Sequence, residues 1–171
     1  MSMRTLGAIL LTGAVALACG SPAPARAEGD PAALAAAFEG ATATLQSGLK
    51  ASEGAGTPIS AKFEIENGKL QLSVYTMKGA DFFEVVADPN TGAIAKTEKI
   101  TDADDLKEAA AQKAAMAKAT LALLIATDAA EKANTGFRAV SIIPRLQDSH
   151  AIAEVALVQD MFFKKVTQKL D

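Results

Sequence analysis

Apolar and polar residues alternate along two neighbouring stretches of the first half of the chain. Ile59, Ala61, Phe63 and Ile65 are separated by Ser60, Lys62 and Glu64, and after Asn67-Gly68 the alternation resumes with Leu70, Leu72 and Val74. A period of two is the mark of a half-buried strand, and Asn-Gly is the favoured pair for a two-residue type I′ turn. Such a turn sets the register: Glu66 opposite Lys69, Ile65 opposite Leu70, Phe63 opposite Leu72 and Ala61 opposite Val74. Every apolar side chain then meets another on one face, with an opposite-charge pair beside the turn. Two more strands are expected, over 82–87 and 93–100. Lys78-Gly79-Ala80-Asp81 and Asp88-Pro89-Asn90-Thr91-Gly92 supply the turn residues before each of them.

Helical patterns precede both groups of strands. Asp30-Pro31 joins a carboxylate cap to a proline at the first helical position, and Leu34, Phe38, Leu45 and Leu49 carry a helix to about residue 51, weakened by Gly40 and Gly48. A second helical stretch runs from Thr101 to about Asn134, with Gly136 placed to stop it. It is either one helix or two broken near Lys118-Ala119-Thr120. Strands recur over 137–146, 151–158 and 161–169, the first as an edge strand or a bulged one because of Pro144. Asp81-Phe82-Phe83-Glu84-Val85-Val86 echoes Met161-Phe162-Phe163-Lys164-Lys165-Val166, so one plan is used twice. The expected fold is α+β: tandem units, 28–100 and 101–171, each a helix packed on a small antiparallel meander.

The N-terminus changes where such a protein would work. Arg4 gives a positive start, residues 6–18 form an uncharged apolar run, and Ala25-Arg26-Ala27 places small residues where a signal peptidase needs them. Residues 1–27 are expected to be a signal peptide cut after Ala27, and the mature protein to be periplasmic or secreted. The apolar run is too short to span a bilayer as a helix. Ala16-Leu17-Ala18-Cys19 loosely resembles a lipobox, and lipidation of Cys19 is the alternative, the one route by which a membrane becomes a partner.

Composition narrows the chemistry. Half the residues are hydrophobic, so a core is within reach, and Cys19 is the one cysteine, so a mature chain would fold without disulfides. Cleavage also removes Arg4 and Arg26, deepening a formal charge of −3. A net acidic chain with no Trp and a single Tyr has neither the basic surface nor the stacking platforms of a nucleic-acid binder.

The hairpin 62–75, the strand 82–87 and the turn Asp88-Pro89-Asn90-Thr91-Gly92 leading into Ala93-Ile94 together resemble the PepSY domain. Residues from about 120 to 170 resemble it in outline but lack the Asp-x-x-Thr-Gly turn. The resemblance implies an exported protein without catalysis of its own. Such domains occur in propeptides of secreted metallopeptidases, where inhibition is the proposed role, and as periplasmic proteins linked in some cases to metals, lanthanides included. A protein or peptide partner in the periplasm follows as the first expectation, and binding of a hard cation as the second.

Candidate residues are few. His150 is the sole histidine, next to Ser149 in a turn-forming Asp148-Ser149-His150, with no cysteine to pair with; this is a hairpin tip and not a triad. No catalytic residue is nominated. Asp102, Asp104, Asp105 and Glu108 crowd the start of the second helical stretch, as carboxylate ligands for calcium or a lanthanide would. The alternative is that Thr101 or Asp102 caps this helix and the acids of its first turn complement the dipole. The Phe pairs 82–83 and 162–163 should each send one ring inward, for packing between the repeats or for a partner. Lys164, Lys165 and Lys169 read as a solvated strand edge that discourages aggregation.

Overall fold

The structure, a computed structural model, describes residues 30–171, so the expected signal peptide and Cys19 lie outside the described residues. Asp30 caps α1 (Pro31–Glu39) by accepting from the Ala32 N–H at 3.0 Å, with Pro31 in the first turn. The helix stops at Gly40. The chain turns back into α2 (Leu45–Ser52) through a reciprocal cap in which Thr44 and Ser47 each receive the other's backbone N–H. The helix anticipated to residue 51 is therefore two short ones.

Strands β1 (Thr57–Glu66) and β2 (Lys69–Lys78) form the expected hairpin, in the register set by the turn. Asn67 and Gly68 both take positive φ, 51° and 75°, as a type I′ turn requires. β3 (Asp81–Ala87) and β4 (Ile94–Lys99) complete a four-stranded meander. The second half consists of α3 (Ala103–Met116), α4 (Leu123–Lys132), β5 (Arg138–Gln147), β6 (His150–Gln159) and β7 (Phe162–Lys169), two helices and three strands.

The expectation of tandem units, each with its own helix on its own sheet, does not hold. All seven strands form one antiparallel sheet in the order β4-β3-β2-β1-β5-β6-β7. The first strand of each meander leaves an edge open, and the two edges pair through Ala61↔Ile142 and Lys62↔Ser141. Joining them satisfies backbone groups that two separate small sheets would leave exposed. It also merges the cores: Phe38, Leu45, Phe63 and Leu72 from the first half share one cluster with Ala126, Ile142, Val155 and Leu157 from the second.

The helices follow the sheet and not the repeats. α1, α2 and α4 cover the face bearing Phe63, Leu72, Val74 and Ile142. α3 crosses the opposite face, where Ala109 packs with Ile59, Tyr75, Phe82 and Ile100. Polar ties reinforce the join between halves. Gln46 of α2 donates to Asp128 and Glu131 of α4 at 3.0 and 2.7 Å, and Arg138 lies over the Phe38 ring while donating to the Ala43 carbonyl.

Of the two alternatives raised by Pro144, the edge strand does not hold, because β5 is central, whereas the strand does carry an irregularity. The ladder with β1 ends at Ile142, before the proline is reached, so its missing N–H removes no rung on that side. That irregularity lies between Ala139 and Ser141, upstream of the proline.

Candidate functional site

Three regions can be assembled from the residues upward. The first is the polar patch where α3 meets the sheet. Asp102 caps α3, its carboxylate accepting from the N–H groups of Asp104 and Asp105 at 2.9 and 3.2 Å, so it is committed to the helix start. Asp104 belongs to the first turn and is exposed. Asp105 and Glu108 act on the sheet: with Glu84 and Glu64 they place negative charge around Tyr75. Burial first, and these charges second, push the Tyr75 hydroxyl far above its ordinary range. The four candidate acids thus do not converge on one point. Among the described residues no group of three or more His, Cys, Asp or Glu side chains is placed to hold a metal ion.

Hydrogen bonds organise this patch. The Ser60 hydroxyl donates to Gln112 Oε1 at 2.7 Å, and Gln112 Nε2 donates to Glu108 at 3.1 Å. Glu64 and Glu84 both sit half-buried here and respond in opposite ways. Burial would raise Glu64, but Lys62 at 2.7 Å and hydrogen bonds from Lys62, Ser73 and Gln71 hold it below the usual carboxylate range. Glu84 is raised, mainly by burial and further by the charges of Glu64 and Asp105, which outweigh Ser73 and Lys62.

His150 stands at the β5–β6 turn, its ring Nδ1 2.9 Å from Asp171, which also accepts from the Ala151 N–H at 3.1 Å. Asp148 and Ser149 take positive φ, as a tight hairpin tip requires. Ser149 enters only through its carbonyl, an acceptor for Lys118 at 3.0 Å. Asp88 likewise spends its carboxylate on the β3–β4 turn. The N–H groups of Thr91 and Asn90 and the Thr91 hydroxyl donate to it and hold it below its ordinary value. The turn braces the link between α1 and α2, since the Ala43 N–H donates to the Pro89 carbonyl at 3.0 Å and Thr42 bonds to Asn90.

The second region is a cleft of about 630 Å³, within the size range of ligand pockets. Leu49 comes from α2, Pro58 from β1, Met77 from β2, Met116 from the end of α3, and Leu123 and Leu124 from the start of α4. Glu53, Thr57 and Lys78 add charge and one hydroxyl. One wall depends on Gly56, since a Cβ there would lie 2.5 Å from the Met77 carbonyl oxygen. Lys113 secures the β2–β3 turn beside it, donating to the Gly79 carbonyl at 3.2 Å. Sequence reasoning missed this cleft because its lining comes from separate segments that share no local pattern.

The third region is the β6–β7 hairpin. Phe82 is 8% exposed beneath α3, whereas its counterpart Phe162 is 74% exposed and Phe163 39%. β3 and β7 lie on opposite sides of the central strands, so the two Phe pairs do not pack on each other.

No family model and no curated protein match the chain. Among solved structures it is similar to a "putative lipoprotein" from Clostridium difficile 630, at 17% identity and a TM-score of 0.38, over 67% of this chain and 75% of that one. A likeness at that level carries no argument about what this chain does. Among the described residues no helix is long and apolar enough to cross a membrane.

Proposed function

We propose that this is an exported, non-enzymatic binding protein that holds an apolar segment of a peptide or protein partner in the cleft between α2, α4 and the β1–β2 end of the sheet. One observation carries the reading. The cleft of about 630 Å³ is walled by Leu49, Pro58, Met77, Met116, Leu123 and Leu124, drawn from both halves of the chain. Unbranched Met side chains adapt to differing apolar shapes, which suits a peptide-binding wall. The polar groups, Glu53, Thr57 and Lys78, are few and suited to fixing a backbone. Export rests on the N-terminal pattern of Arg4, the apolar run and Ala25-Arg26-Ala27.

The test is saturable binding of the neutral fluorophore N-phenyl-1-naphthylamine, displaced by an unstructured Leu- and Met-rich peptide. Leu124→Lys puts a charge into the half-buried wall and should abolish both signals while leaving the melting temperature close to that of the parent. Binding that never saturates, or that survives Leu124→Lys, would reject the cleft as the site.

A further inference from the structure

We propose that the β6–β7 hairpin is a docking tip for an anionic lipid surface, with Met161, Phe162 and Phe163 entering the interface and Lys164 and Lys165 meeting the headgroups. Met161 is 52% exposed, Phe162 74% and Phe163 39%, three consecutive apolar residues at a turn. Large apolar side chains grouped this way on a surface mark an interaction site. Among the described residues β7 is an edge strand paired only with β6, and no further strand covers it from outside.

The alternation along β7 decides what kind of surface fits. Phe163 and Lys165 stand opposite Val158 and Ala156, on one face of the sheet, while Phe162 and Lys164 stand opposite Gln159 and Leu157, on the other. Each face therefore presents an aromatic ring at the tip with an ammonium two residues behind it. At strand rise that separation is roughly 6.6 Å. This is the order needed to set rings at the acyl boundary and amines among phosphates. A protein groove would cover one face, whereas a bilayer interface accepts a wedge apolar on both. Charge agrees: residues 159–169 hold Lys164, Lys165 and Lys169 against Asp160 alone. Lys164 is steered toward the tip's base by Asn134 at 2.6 Å and by the Phe137 ring.

The chain contains no Trp, so a single Trp reports its own surroundings. In the full chain, Phe162→Trp should shift to the blue and be quenched by brominated acyl chains on vesicles of phosphatidylcholine with phosphatidylglycerol. The shift should be far weaker on phosphatidylcholine alone and should fall as salt screens the lysines. The control is Leu146→Trp, at the opposite end of the second meander and 44% exposed, which should stay unshifted. Lys164→Gln with Lys165→Gln in the Phe162→Trp chain should weaken binding to anionic vesicles roughly tenfold or more, at about 1 kcal/mol per cation near the surface. No shift of Phe162→Trp on anionic vesicles, or an equal shift of both reporters, overturns the proposal. A shift that appears without lipid as concentration rises also overturns it, by assigning the tip to a second copy of the chain.

Discussion

The two meanders share a plan but are finished differently. In the first, the third strand, β3, is flanked by β4, and Ala109 and Lys113 of α3 reach Phe82, which is buried with Tyr75, Ile59 and Ile100. In the second, the third strand, β7, is the edge of the sheet and Phe162 stands in solvent. The same Phe-Phe pair is thus a core element in one half and a surface element in the other. The cause is the destination of α3. It follows the first meander in sequence and packs over the shared centre of the sheet, where Ser60 and Gln112 bond, leaving the far edge bare. Two similar Phe-Phe strands take different roles because Ala109 and Lys113 of α3 reach Phe82 while β7 is an open edge.

The sharpest way to break the comparison is at the join. Ile142 is fully buried and paired with Ala61, so Ile142→Asp places an unpaired charge in the common core. The cost should exceed about 4 kcal/mol, and both halves should unfold together. Amide signals of the Asn67-Gly68 hairpin that stay native while the second meander is lost would show independent units. Next come the paired rings. Phe82→Ala should cost about 3–5 kcal/mol in urea unfolding, because it opens a cavity under α3. Phe162→Ala should change stability by less than about 0.5 kcal/mol; similar losses for both would refute the account of how the halves differ.

Smaller effects sharpen the role of α3. Ser60→Ala removes the donor to the buried Gln112 carbonyl oxygen and should destabilise by about 1–3 kcal/mol. Gln112→Ala in the same background should add little beyond its own packing loss if the pair acts as a unit, which a double-mutant cycle in urea measures. The smallest effect is one of pH. Glu84 has a raised pKa in the folded state, so its contribution is fully present below its unfolded value of roughly 4.3 and is lost as pH rises through the folded value. Glu84→Gln should therefore melt higher than the parent at neutral pH, with the gap closing toward acid. Glu64 has the opposite sign: its lowered pKa favours the fold above the unfolded value and loses effect as pH falls. Glu64→Gln should melt lower at neutral pH, and a matching sign for both variants would contradict the opposed environments.

Much of the local structure was legible. The hairpin register, the Asp30 cap and the turn at Asp88 all depend on residues a few positions apart. The polar His150 tip was legible for the same reason. The choice of Asp102 over Thr101 as cap, and of two helices over one, was made only by the structure. Of the acids singled out, a cap at Thr101 or Asp102 was readable, while the approach of Asp105 and Glu108 to Tyr75 was not, since Tyr75 belongs to another element. The cleft was invisible for the same cause: Leu49, Met77, Met116 and Leu124 become neighbours only when the sheet closes its central ladder.

What the sequence by itself determined is the alternation of the strands, the Asp30 cap and the Asn67-Gly68 turn, although the Thr44–Ser47 cap that separates α1 from α2 went unread. These act within one element and need no partner. Tertiary structure alone decided that Ala61 and Lys62 would pair with Ile142 and Ser141, that α3 would cross to the opposite face, and that Phe162 would be left uncovered. Each of those outcomes is a choice among open edges and apolar faces far apart in the chain. Strand and helix patterns leave several such partners available, and only the packing of the whole sheet and its three layers ranks them.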